Sequence, residues 1–434
     1  MKALAEAKPA SNGRRTQGRS TQSRGDFLVR RARKSDLPEL VRVGISAFRG
    51  GTNEERWTSY YTKNAHLSWD RIWVAERDNR VLGKTSLLDF RMRIDGRLTR
   101  VDGVAAVAVD LTARRQGVAD ALVRRGLTDA RAREVPASFL YAFRPSFYRR
   151  FGYAPVEMGH VLHVRPRDLP DSPERVHVRR YHEDDFAALD RCYRAATAGA
   201  TGPIERSEMW WRVRTLREGQ DRVVFDAGRG KIEGYVLGML AEQASLGKRV
   251  LRVQELMATT RRARRGLLGW LAALADEFSG IEVSLPADGS WLPFLRDPHF
   301  PATRSYFQQE PAGLAGWGCM GRLAHLERAL TMRAPRAVKG SVVVHAIDPV
   351  LPENDGPWTV RFGGAGAATR VRAGSQAALG LRGEMDVWTQ VWSGAVSALA
   401  AWRFGFLEGD EEAARLLEAA WLGPAPFWGT LNEF

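Results

Sequence analysis

The segment Ala113–Gly126, ARRQGVADALVRRG, follows a run of small and β-branched residues, VAAVAV at Val104–Val109, and leads into a helical periodicity. Its loop therefore sits where a strand hands over to a helix. A helix N-terminus offers unpaired backbone N–H groups and a partial positive charge, a natural seat for phosphate oxygens. A pyrophosphate approaches backbone closely only where side chains are small at alternate positions. Gly117 and Ala119 meet that need, and Arg114 and Arg115 add charge. Neither a Walker lysine motif nor a GxGxxG pattern is present at this junction, which disfavours the nucleotide-binding readings.

Around this junction the chain reads as mixed α/β. FLVRRA from Phe27 is a first strand, and SDLPELVRVGISAF is a helix capped by Ser35 or Asp36. Strands follow, with turns at Asp78-Asn79 and Asp95-Gly96 between apolar alternations. A helix from about Gly117 to Arg133, a strand at SFLYAF and the turn FYRRFGY complete a unit ending near residue 165. Residues 170 to 305 repeat the plan with less fidelity, which indicates duplication. From about Trp317 onward the pattern changes to SVVVHAID and WTVRFGG strands, then helices around DVWTQVWSGAVSALA and DEEAARLLEAA. The expected division is a basic tail over 1–26, mixed-sheet units over 27–165 and 166–305, and an α+β unit over 306–434.

Composition sets the outer bounds. Hydrophobic residues at 44% and charged residues at 26% are ordinary globular values. No run of about 18 apolar residues suggests a membrane span, and no apolar leader suggests secretion. Cys192 and Cys319 stand apart without neighbouring ligands, so neither a disulfide framework nor a metal site is expected, and the compartment expected is the cytoplasm. His160 and His163 read as ordinary residues on a strand rather than a ligand pair. The net charge of +15 is spread along the chain, with a share in the Ser-, Gly- and Gln-rich first residues, which read as a disordered tail. No specific nucleic-acid partner is expected from so diffuse a charge.

The pattern Arg-x-x-Gly-x-Ala after a strand resembles the pyrophosphate loop of the GNAT acetyltransferases. ARRQG, FYRRFGY, IDPVLPENDGPW, SGAVSALAAWRFGFLEGD and a terminus on Phe434 together resemble the Eis (enhanced intracellular survival) branch. That resemblance implies two tandem GNAT-like mixed-sheet domains, the second degenerate, followed by a sterol carrier protein-like α+β domain. It implies acetyl-CoA as co-substrate, a primary amine acceptor of the aminoglycoside, polyamine or lysine type, and a hexameric assembly. Aligning ATTRRARRGLLGWL with DLTARRQGVADAL sets Ala263 opposite Arg114, Gly266 opposite Gly117 and Leu268 opposite Ala119. A leucine there obstructs phosphate, so the central unit is expected to be a scaffold without cofactor.

The resemblance also assigns roles by position. Tyr148 is the general acid beside the thioester sulfur, and the α-carboxylate of Phe434 is the base for the amine. Cofactor contacts fall on Val107, Ala108 and Val109 at the strand edge, on Arg114, Arg115, Gln116, Gly117, Val118, Ala119 and Asp120 in the loop and first turn, and on Phe143 and Arg144. Glu433 adds negative charge for a cationic substrate. Phe143 and Arg144 stand where the family commonly has small or acidic residues, which puts the acceptor in question. The alternative reading is a lipid or apolar-ligand carrier whose sterol carrier-like domain is lined by Trp388, Trp392 and Trp402, with the GNAT units as scaffold.

Overall fold

Two tight turns set the first sheet: Asp78 and Asn79 have φ of 51° and 59°, and Asp95 and Gly96 have φ of 48° and 76°. Paired positive φ values give the turn twist that joins right-twisted antiparallel strands. Ile72–Arg77, Arg80–Ile94 and Arg97–Val109 accordingly form an antiparallel meander. The computed structural model describes residues 27–48, 53–241, 249–296, 313–333, 336–364 and 369–434, and the expected basic tail lies outside them.

Alternation along Ile72–Arg77 shows how the layers stack. Ile72 and Val74 enter a core with Leu40 and Val43 of the helix Leu37–Ala47 and with Trp57 and Tyr61 of the helix Glu54–Thr62. Trp73 and Ala75 enter the opposite core with Val118, Leu122 and Leu127 of the helix Val118–Ala132. Period-two alternation thus buries both faces under helices. Asp36 precedes Leu37–Ala47, but its carboxylate accepts the Arg33 N–H at 2.7 Å and pairs with Arg30 at 2.7 Å, so neither it nor Ser35 caps the helix as expected.

The second unit repeats this meander with Asp221–Asp226, Ile232–Leu240 and Val250–Ala258, carrying the helices Phe186–Ala196 and Arg261–Ala272. The two units exchange strands reciprocally. Met320–Leu323 is inserted between Ala137–Leu140 and Ala154–Pro155 of the first sheet. Met158–Val164 is inserted between Gly280–Pro286 and Gly313–Trp317 of the second. Sheet membership therefore crosses the divisions drawn at 165 and 305, because each sheet completes its ladder with a strand from the other half of the repeat. His160 and His163 lie on the exchanged strand, three apart and so on opposite faces; His163 Nδ1 faces Glu282 at 3.9 Å.

The last unit is a five-stranded sheet ordered Arg370–Ala373, Gly356–Gly363, Lys339–Ile347, Gly380–Glu384 and Glu408–Gly409. The helices Met385–Ser393, Ala398–Arg403 and Glu411–Trp421 cover it, with Gly394 at φ 85° ending the first of them. Trp388 and Trp392 are core residues: each is 1% exposed, and their indole N–H groups donate to His345 O at 3.1 Å and Ala329 O at 2.7 Å. Trp402 is half-buried, its N–H donating to Gly409 O at 2.9 Å. None of the three presents a free apolar lining. The buried Arg322 ties this unit to the first by pairing with Asp348 at 2.7 and 2.8 Å and donating to the Phe151 carbonyl. After Trp421 the chain leaves the unit and runs back between the two larger sheets. Among the described residues no helix is long and apolar enough to cross a membrane.

Candidate active site

The strand Arg97–Val109 is paired along one side and half-bare along the other. Its ladder with Arg80–Ile94 slips between Lys84 and Ser86, where Ala106 takes φ 52°, an alanine held in a left-handed bulge. On the other side it pairs with Ala137–Leu140 only at Asp102 with Ser138 and Gly103 with Phe139. Beyond Gly103 the two parallel strands splay, and among the described residues the edge through Val107, Ala108 and Val109 faces no strand. Unpaired ladder groups of this kind accept an extended arm as though it were another strand.

The loop that follows is fixed by Asp110, a residue the sequence reading passed over. Its carboxylate accepts the Thr112 hydroxyl at 2.6 Å and the Thr112 N–H at 3.0 Å, and it pairs with Arg42; these partners hold it down to about 2. The Asp-x-Thr spacing was the available signal. Arg115 takes φ 62° and Gly117 φ 83°, and an atom added at the Gly117 Cβ position meets nothing within 4 Å. Gly117 begins the helix Val118–Ala132 with no side-chain cap, so the first-turn amides of Val118, Ala119 and Asp120 carry no capping partner. Arg114 and Arg115 are exposed with no ion pair among the described residues, while Gln116 is held by Arg77 at 2.6 Å. Asp120 is engaged with Arg124 at 2.8 Å and Arg150 at 3.5 Å.

Tyr148, on the short helix Pro145–Arg149, is buried in the same core as Val118, Leu122 and Leu140, with Val107 and Val109 packed against it. Its hydroxyl makes no hydrogen bond among the described residues, and burial pushes it up to about 12. Tyr153, by contrast, shares a hydrogen bond with Ser138 at 2.8 Å and is a packing residue. Phe143 is 80% exposed with its ring 6.2 Å from that of Tyr148, and Arg144 beside it is exposed at the start of the short helix.

Phe434 reaches the splay from the other face. Its ring packs tilted 4.8 Å from that of Phe90 and edge-on 5.4 Å from that of Tyr141, and it occupies the space over Gly103 where a Cβ would stand. Two buried polar groups seat the segment behind it. Glu157 accepts the N–H groups of Cys319, Trp428 and Gly429 at 3.0, 2.9 and 3.1 Å, its pKa raised by burial. Arg206 pairs with Glu255 at 2.9 and 2.6 Å and donates from Nε to the Asn432 side-chain oxygen at 2.9 Å. Arg214 donates to the Glu433 carbonyl, and the Glu433 side chain is exposed at the rim of a cavity. Among the described residues no group of three or more His, Cys, Asp and Glu is placed to hold a metal ion.

The second copy of the junction differs from the alignment drawn on sequence. Between Val250–Ala258 and Arg261–Ala272 stand only Thr259 and Thr260, and Thr260 is the N-cap, its hydroxyl accepting the Ala263 N–H at 3.1 Å. Gly266 lies inside the helix, packed on Phe225, so it is not the counterpart of Gly117. The repeated arginines misled the register. The loop itself has been lost, and a threonine side chain holds an amide that Gly117 leaves open.

Comparison with known proteins agrees with this layout. Residues 28–156 and 202–322 each match an acetyltransferase (GNAT) domain, and residues 326–429 match a sterol carrier protein domain. An uncharacterized N-acetyltransferase of Streptomyces coelicolor is 34% identical over 156 residues, 33% of this chain and 37% of that relative, so the match spans little more than a third of it. One of Streptomyces avermitilis is 27% identical over 323 residues, 69% of this chain and 75% of the relative. The crystal structure of Eis1 from Mycobacterium abscessus shares the fold, with a TM-score of 0.75 at 21% identity over 94% of this chain and 100% of that one. The bulged, splayed strand, the uncapped glycine turn and the three-unit order belong together: the chain carries two acetyltransferase (GNAT) domains followed by a sterol carrier protein domain, in the fold that Eis1 also has.

Proposed function

We propose that this chain transfers the acetyl group of acetyl-CoA directly to a primary amine, and does so in the N-terminal unit alone. The observation that carries the reading is the approach of Tyr148 and Phe434 to the splay from opposite faces. Val104 shares the Tyr148 core, whereas Ala105 shares the core against which Phe434 packs. Two groups with opposite proton tasks thus flank one gap between strands. Acetyl-CoA, the co-substrate of GNAT acetyltransferases, supplies an activated thioester carbonyl.

The chain's own residues fit that donor. Gly117 and Ala119 leave the first-turn amides approachable, Arg114 and Arg115 supply unpaired charge, and the bare edge Val107–Val109 offers backbone partners to an extended arm. An edge N–H also stabilises negative charge developing on a carbonyl oxygen. In the transfer the amine nitrogen forms the new N–C bond and the C–S bond breaks. The amine proton passes to the α-carboxylate of Phe434, and the departing sulfur takes the proton of the Tyr148 phenol. A hydroxyl held near 12 stays protonated at neutral pH and is available as an acid. The central unit, with its loop lost and Thr260 capping its helix, serves as a support for the terminus through Arg206. Thiol release with a panel of amines tests the mechanism: Tyr148→Phe and deletion of Phe434 should each lower kcat about 100-fold or more. Full activity in both variants removes these two roles.

A further inference from the structure

Beside Phe434 lies a cavity of about 400 Å³ built from the exchanged strand Met158–Val164, its neighbours Gly280–Pro286 and Gly313–Trp317, and the C-terminal segment. Its walls are apolar, with Val161, Leu285, Leu314, Trp317 and Phe427, and glycines at 159, 316, 318 and 429 keep it open. The charge it presents is small. Glu157 borders the cavity, but its carboxylate already accepts three backbone amides. Glu433 is the remaining carboxylate on the wall, next to the terminal one. Two polar atoms in the lining, Tyr141 Oη and His160 Nε2, are buried without a hydrogen-bond partner. Tyr141 also packs on Phe434, so the cavity ends at the proposed base.

Resting on the acetyl-transfer reading above, the geometry points to this cavity as the seat for the acceptor's body, and to a monocationic amine on an apolar, aryl or alkyl frame as the substrate class. The volume suits a small ligand, and mostly apolar walls with a few convergent polar groups are what such ligands fill. One ammonium meets Glu433 and the terminal carboxylate. A polycation is disfavoured, because each further ammonium it buries lacks a counter-charge and carries its full desolvation cost. The orphaned Tyr141 hydroxyl and His160 nitrogen hold one or two polar groups on the frame, and a site built to bond them discriminates by leaving them unpaired otherwise.

Gly316 provides the test. It lines the cavity on the exposed strand Gly313–Trp317 with nothing within 4 Å of its Cβ position, so Gly316→Trp adds bulk at the cavity wall without a clash in the fold. Transfer from acetyl-CoA and direct calorimetric binding are measured for 2-phenylethylamine, kanamycin and ethylamine, on the full chain. Expected are a kcat/KM for 2-phenylethylamine at least tenfold above that for kanamycin, and a KM for 2-phenylethylamine that Gly316→Trp raises at least tenfold more than it raises the KM for ethylamine. Preference for kanamycin, or an unchanged KM and affinity for 2-phenylethylamine in the variant, overturns the proposal. Binding of 2-phenylethylamine that Gly316→Trp abolishes, without transfer to any amine, upholds the cavity and removes the acetyl-transfer reading instead.

Discussion

Asn432→Ala isolates the seat of the C-terminal segment. Asn432 is 1% exposed; its oxygen accepts from Arg206 Nε at 2.9 Å, and its amide donates to the Trp428 carbonyl. Arg206 cannot turn elsewhere, being gripped by Glu255 at 2.9 and 2.6 Å and stacked over Tyr193 and Trp211 at 4.1 and 4.6 Å. Glu255 is in turn fixed by the Tyr235 hydroxyl at 2.6 Å. The alanine variant leaves a guanidinium N–H buried without its acceptor. A hydrogen bond to a charged group contributes about 1.5–3 kcal/mol, and about 1.4 kcal/mol is tenfold in an equilibrium. The ratio of docked to undocked terminus should therefore fall roughly 10- to 100-fold. Phe434, two residues on, carries the proposed base, so kcat in thiol release should drop while KM for acetyl-CoA stays within about twofold. Trimming by carboxypeptidase should speed up in parallel. A terminus that becomes protease-sensitive while kcat is unchanged would refute the link between this clamp and catalysis.

Two further outcomes follow from ionisation. Lys84 is fully buried, its ammonium against the Tyr61 hydroxyl and 3.7 Å from the Trp57 ring; burial lowers it from 10.5 to about 6 while the ring faces oppose that fall. Between those values the unfolded chain holds a proton that the folded chain lacks, so stability rises with pH through the window and the penalty is greatest below about 6. Lys84→Met should raise Tm by more at pH 6 than at pH 9, on the order of a few kcal/mol; equal gains at both would show the lysine to be charged in the fold. Tyr148, held up to about 12, should contribute no fall in kcat between pH 8 and 10, and a basic limb there that disappears in Tyr148→Phe would contradict its protonated state.

Much of the fold around the candidate site was legible because short-range chemistry fixed it. The Asp78-Asn79 and Asp95-Gly96 turns need positive φ, the helix after Gly117 needs its periodicity, and a glycine at φ 83° is what an open helix start requires. The pairing of Met158–Val164 and Met320–Leu323 across the divisions at 165 and 305 was not legible, because periodicity states that a strand exists and says nothing of its neighbour across the chain. Gly266 was matched to Gly117 because arginine runs look alike, whereas the difference lies in loop length. Arg206, Asn432 and Glu157 carry no local signature. Each is a single polar residue whose burial only the packed units decide.

The seat at Gly117 and Ala119 is tested most directly by calorimetric stoichiometry of acetyl-CoA binding to the wild type and to Ala119→Leu. One site per chain is expected in the wild type, and none in the variant, whose added side chain covers the first-turn amides while the melting temperature changes by a few degrees at most. Two sites per chain, or binding retained by Ala119→Leu, would contradict a single donor seat in the N-terminal unit.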